Sequence, residues 1–318
     1  MTDPGTVADI DERELRGILD EEAYVAEDDL VTTVLLSLRL GKPLLVEGEP
    51  GSGKTELGKV LASGFDTDLV RLQCYEGLTA EHALYEWNYA KQLLSIQAGE
   101  AGVTSRNGGD TTAESDGALP NSDDASVFGE EYLLERPLLR ALTHDGDRPP
   151  VLLIDEIDRA DEEFEALLLE VLSDFQVSIP EYGTVRAERP PIVIVTSNRT
   201  RGLSDALKRR CLYLHVEPPS FEKERAIVRR KVPELDAAVA ASLCSTVSRL
   251  REEPLLKRPG VAETLDWARA VEELGGEEPL TEQTVRNTMG CLLKEVEDVE
   301  RVDDELIEEL LTAAADTG

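Results

Sequence analysis

The stretch Gly48-Glu49-Pro50-Gly51-Ser52-Gly53-Lys54-Thr55 decides how this chain is read. It follows a short apolar run at residues 43–46 and leads into E-L-G-K-V-L-A, a helical pattern, so the glycine-rich turn lies between a strand and a helix. Glycines in that setting let successive backbone N–H groups point at the β- and γ-phosphates of a nucleotide. The helix N-terminus adds partial positive charge, Lys54 is a point cation, and Thr55 is placed to ligate Mg²⁺.

Working outward, four apolar residues at 151–154 run into Asp155-Glu156, at what should be the C-terminal edge of a strand beside the first. Asp155 is expected to hold Mg²⁺ and Glu156 to orient or deprotonate the attacking water. The strand at 192–196 ends in S-N-R-T, which brings Asn198 to the same crevice, where its amide can position water and donate to the γ-phosphate. Lys208, Arg209 and Arg210 follow before the last strand, 211–216. Lys208 suits helix-dipole compensation, which leaves Arg210, with Arg209 second, to reach the γ-phosphate of a neighbouring subunit.

Five strands, with Leu69–Gln73 as the second, alternate with helical segments and predict a parallel sheet covered by helices on both faces. Residues 8–40 read as helical up to Gly41, and V-S-I-P-E-Y-G-T-V-R-A around Gly183 reads as a hairpin. From Ser220, a helix N-cap, only helical patterns remain. This gives a nucleotide-binding α/β domain over 1–219 and a helical domain over 220–318. Residues 97–127 lack periodicity and are rich in Gly, Ser, Thr, Asp and Asn, so they read as a disordered surface loop.

Composition narrows the partners. The 318 residues are 41% hydrophobic, enough for a real core and too many for a disordered chain. Asp and Glu number 66 against 33 Lys and Arg, giving a net charge of −33, with only nine lysines. Such a surface repels nucleic acid and anionic lipid, and its even spread suits a solvated, high-salt, halophilic setting. No run approaches the roughly 20 apolar residues of a membrane span, and the start is acidic where a secretory signal is basic, so a cytoplasmic protein is expected. Cys74, Cys211, Cys244 and Cys291 form no C-x-x-C pair, and His82, His144 and His215 have no metal-ligand spacing.

Taken together, these residues resemble an AAA+ ATPase: Walker A at 48–55, Walker B at V-L-L-I-D-E, sensor 1 at Asn198 and an arginine-finger segment before Cys211. L-Y-E-W-N-Y-A, D-R-A-D-E-E-F-E-A-L-L-L-E and T-S-N-R-T-R-G-L-S-D-A-L-K-R-R-C resemble, more narrowly, the MoxR group and its branch associated with carbon monoxide dehydrogenase maturation. The resemblance implies a sheet of order 5-1-4-3-2, a small helical lid, ATP and Mg²⁺ as cofactors, and a homo-oligomeric ring, expected as a hexamer, with sites shared between subunits. It also implies a chaperone-like role on a protein client, beside a partner bearing a von Willebrand factor A domain. The hairpin at 177–187 looks like the family's pre-sensor hairpin, lining the ring pore or else facing solvent. Where such lids usually place a sensor 2 arginine, this chain has Val261, Ala262 and Glu263, with Arg258 just upstream as the substitute. Two other uses of the same phosphate loop stand as alternatives, a DNA-associated motor or loader and a small-molecule kinase.

Overall fold

The computed structural model describes residues 7–104, 129–180, 182–275 and 280–315. Two helices come first, α1 (Glu12–Glu21) and α2 (Asp28–Leu40), then strand β1 (Leu44–Gly48), helix α3 (Lys54–Gly64) and strand β2 (Leu69–Gln73). A short helix α4 (Ala80–Ala83), strand β3 (Tyr85–Trp87), helix α5 (Tyr89–Thr104), strand β4 (Leu133–Glu135) and helix α6 (Pro137–Leu142) follow. Next are β5 (Val151–Asp155), α7 (Glu162–Asp174), the hairpin β6 (Gln176–Ile179) and β7 (Gly183–Arg186), β8 (Ile192–Ser197), α8 (Asp205–Arg210) and β9 (Leu212–Val216). Among the described residues, six helices follow: α9 (Phe221–Lys231), α10 (Ala237–Leu250), α11 (Val261–Glu273), α12 (Glu282–Leu292), α13 (Val296–Glu300) and α14 (Asp304–Ala315).

The main sheet is five-stranded and parallel, ordered β2-β5-β8-β1-β9. With its strands numbered one to five along the chain, this is the expected 5-1-4-3-2 order. Because side chains alternate across a strand, each of the central strands β1, β5 and β8 feeds two cores. Leu45, Leu152, Ile154, Val193 and Val195 pack with Leu138, Phe164 and Leu168 on one face. Leu44, Val46, Leu153 and Ile194 pack with Leu15, Val34 and Leu57 on the other. Every residue of β1, β5 and β8 is buried. A fully buried aliphatic side chain contributes about 1.5–3 kcal/mol, so these central strands anchor the loops that leave their ends.

Local chemistry sets the helix boundaries. Pro137 occupies the first turn of α6, Asp161 accepts the Phe164 N–H at 2.9 Å to cap α7, and Ser220 accepts the Lys223 N–H at 3.3 Å to cap α9. The helices from Phe221 onward surround their own apolar cluster, which includes Val228, Leu243, Val247, Trp267 and Leu310. Polar groups among these helices are paired: Arg251 binds Glu224 through two nitrogens at 2.6 and 2.8 Å, and the Trp267 indole donates to Thr288 at 2.7 Å.

Two expectations change. Residues 97–104, read as the start of a loop, complete α5; residues 105–127 of that loop lie outside the described residues. The single helical stretch at 8–40 is two helices, and Ala23 in the connection has φ +55°. Among the described residues no helix is long and apolar enough to cross a membrane.

Candidate functional site

Loops leaving the C-terminal edges of β1, β5 and β8 meet in a cavity of about 530 Å³. The loop after β1 is shaped by its glycines. A Cβ on Gly48 would sit 2.2 Å from the Val216 carbonyl oxygen, so β1 and β9 can approach this closely only at a glycine. Gly53 has φ +89° and turns the chain into α3. Gly51 touches the start of α11: a Cβ placed on it would lie 3.2 Å from the Gly260 Cα.

Lys54 opens α3 and is 6% exposed. Its ammonium donates to the Gly48 carbonyl at 2.9 Å and the Glu49 carbonyl at 2.7 Å, which holds it curled over the loop. Burial pulls its pKa below the ordinary lysine value, opposed by Asp158, Asp155, Glu156 and Glu49. Next to it, the Thr55 hydroxyl donates to the two Asp155 carboxylate oxygens at 3.0 and 3.3 Å, across 100 residues of sequence. Asp155 is 2% exposed and also accepts from the Thr196 hydroxyl at 2.5 Å and Arg71 of β2 at 2.6 Å.

Glu156 has φ +56°, a left-handed conformation that costs energy for a residue with a side chain. Its N–H donates to the Thr196 hydroxyl at 2.9 Å, and its carboxylate accepts from Gln73 and Arg159, each at 3.0 Å. Asn198 lines the same cavity, and Asp158 fixes its backbone. Asp158 is 3% exposed and accepts the Asn198 N–H at 3.0 Å, the Thr200 N–H at 2.9 Å and the Thr200 hydroxyl at 2.6 Å. Burial alone pushes the Asp158 carboxyl up, but these three donors together hold it below the ordinary value.

The donor set suits Mg²⁺. Thr55 and Asp155 present hard oxygens side by side, and among the described residues no cluster of three or more His, Cys, Asp or Glu side chains could cage a metal alone. An ion here would complete its shell with phosphate oxygens and water, as Mg²⁺ ordinarily does.

A family model described as AAA domain (dynein-related subfamily) matches residues 43–211, more than half of the chain. The chain belongs to this family of ATPases. The uncharacterized protein YojN of Bacillus subtilis (strain 168) is 29% identical to this AAA protein over 121 residues, 38% of each chain. The uncharacterized protein YehL of Escherichia coli (strain K12) is 28% identical over 227 residues, 66% of this chain and 53% of its own. The chain thus spans about half the length, or less, of these curated relatives. Among solved structures, the Thermotoga maritima RuvB Holliday junction branch migration motor is 17% identical, with 91% of this chain and 72% of that one covered and a TM-score of 0.44. A single-substitution variant of that RuvB has 18% identity over the same shares and a TM-score of 0.46.

The remaining expected residues fall in two places, Arg209 and Arg210 within the matched AAA region and Arg258 beyond it. Arg209 and Arg210 are exposed on α8 and do not line the cavity; Arg210 donates to the Leu169 carbonyl at 2.9 Å. Buried Glu165 accepts the Ser204 N–H at 2.9 Å, which fixes the start of the helix carrying them. Arg258 is also exposed and outside the cavity lining. Arg269 of α11 reaches the cavity instead, with Val261, Leu265 and Asp266 from the same helix. Its signal was in the sequence: positions 261, 265 and 269 share one helix face. Arg71, Thr196 and Asp158 were also missed, and no spacing rule points to them, because their partners lie on other strands and loops.

Proposed function

We propose that this chain is a MoxR-type AAA+ ATPase in which hydrolysis of ATP, at sites shared between subunits of a homo-oligomeric ring, drives remodelling or maturation of a protein client. The observation that carries this reading is the meeting of Lys54, Thr55, Asp155, Glu156 and Asn198 at three strand ends of one cavity, with Arg209 and Arg210 outside it. The sequence resemblance supports the MoxR assignment, a hexamer, a metal-cofactor client and a partner bearing a von Willebrand factor A domain. Residues 1–219 form the nucleotide-binding domain on this reading, and 220–318 the lid.

The loop N–H groups from Gly51 to Thr55 cradle the β- and γ-phosphates, and Lys54 exchanges its loop carbonyls for phosphate oxygens. Thr55 and Asp155 would hold a magnesium ion, which would supply charge neutralisation at the phosphate oxygens. Glu156 takes the proton of the attacking water, and Asn198 orients that water against the γ-phosphate. Arg210 of an adjoining subunit, with Arg209 beside it, stabilises charge that develops in the transition state.

The test is subunit mixing. Lys54→Ala abolishes nucleotide binding, and Glu156→Gln keeps ATP bound without turnover. Glu156→Gln and Arg210→Ala subunits mixed in one ring regain activity, because the two undamaged halves meet at some interfaces. Turnover of Glu156→Gln near the parent rate, or strictly additive loss in the mixture, refutes the proposal.

A further inference from the structure

The Asp155–Arg71 pair carries a consequence for how metal enters the site. Arg71 and Gln73 lie two apart on β2, so both side chains project from the same face of the strand. One Arg71 nitrogen donates to Asp155 Oδ2 at 2.6 Å and to Gln73 Oε1 at 2.7 Å. With Thr55 and Thr196 on Oδ1, and Thr55 also near Oδ2, the acceptors of the carboxylate are taken up by protein donors. A buried carboxylate without a counter-ion is costly, so Arg71 supplies what the site needs before a metal arrives. The Arg71 side chain is itself 47% exposed, which leaves it room to move away, whereas Asp155 is enclosed.

We propose that Arg71 is a resident counter-ion for Asp155 that the nucleotide-bound magnesium displaces, so that Arg71 sets the metal concentration at which the site loads. This rests on the magnesium–nucleotide reading above. Two cations competing for one carboxylate repel each other, and removing the arginine strengthens metal binding without touching the phosphate cradle. Arg71 is thus a positioning residue whose effect is read on the metal.

The test uses Mn²⁺ as the probe, with free ion measured by electron paramagnetic resonance on ADP-saturated protein. Arg71→Met should lower the Mn²⁺ Kd about tenfold, leave ADP affinity in EDTA unchanged, and be reversed by Arg71→Lys, which restores the charge. A second measurement needs no variant. On the ADP-loaded parent, phenylglyoxal labelling of Arg71, mapped by mass spectrometry, should rise when Mg²⁺ is added. An Mn²⁺ Kd for Arg71→Met within about twofold of the parent's, or weaker, overturns the proposal, as does labelling that Mg²⁺ leaves unchanged. Nucleotide binding by Lys54→Ala equal to the parent's would instead bring down the underlying phosphate-site reading, and the proposal with it.

Discussion

Replacing Asp158 with Asn tests whether the geometry around Asn198 is held from outside the cavity. The substitution keeps the size of the side chain but removes its charge and turns one acceptor into an NH₂ donor. That donor must face either the Asn198 N–H or the Thr200 pair, which now meet Asp158 at 2.6–3.0 Å. A hydrogen bond to a charged group contributes about 1.5–3 kcal/mol. One such bond is lost and the others weaken, so destabilisation of about 3 kcal/mol is expected in urea unfolding. A displacement of about 1 Å in a catalytic side chain costs about 100-fold in rate. The steady-state ATPase assay should therefore show kcat down by about two orders of magnitude with KM for ATP changed by less than about threefold. The pH dependence follows from the same carboxyl. Its folded-state pKa lies below the unfolded value, so its stabilisation is complete above the ordinary carboxylate pKa and is lost as pH falls through the depressed folded value. The Asn variant should lack that part of the acid sensitivity. A kcat within about threefold of the parent's would show that Asn198 does not depend on this support.

Three further outcomes are expected. Gly48→Ala drives a methyl into the Val216 carbonyl and should separate β9 from β1, read as loss of nucleotide binding together with a lowered melting temperature; unchanged binding would contradict the close approach. Arg269→Ala should impair ATP turnover while Arg258→Ala leaves it near the parent level, and the reverse order in a side-by-side assay would restore Arg258 to the site. Binding to a labelled DNA duplex, titrated with salt, should be undetectable at physiological ionic strength given the net charge of −33; nanomolar affinity there would favour a DNA-associated motor.

The parallel sheet was legible because its three central strands are buried on both faces and read as apolar runs, as at Val151–Asp155. The antiparallel ribbon of β3 and β4 was not. Each strand has three residues, and Tyr85 pairs with Glu135 and Trp87 with Leu133 across a long separation in sequence, so no local alternation develops. The phosphate loop was legible for a different reason: its residues are consecutive, and their spacing is itself the chemistry. Asp158 shows the opposite case. In sequence it is one more acid at the start of a helical stretch, and only the approach of the β5 and β8 loops turns it into the anchor of Asn198. Arg269 was hidden because the sensor 2 pattern marks only the first turn of α11, whereas the cavity is reached by a face running down two turns of the helix.

The close backbone approach of Gly51 and Gly260, with little room for a side chain between them, makes α11 a lever whose fulcrum lies beside the phosphate loop. Arg269 lies eight residues beyond Val261, an arm of about 12 Å at 1.5 Å rise per residue. Tilting α11 by about 10° about that pivot would sweep the Arg269 backbone through about 2 Å while Gly51 stays in place. Small rotations of the C-terminal helices are thus amplified at the guanidinium and muted at the loop.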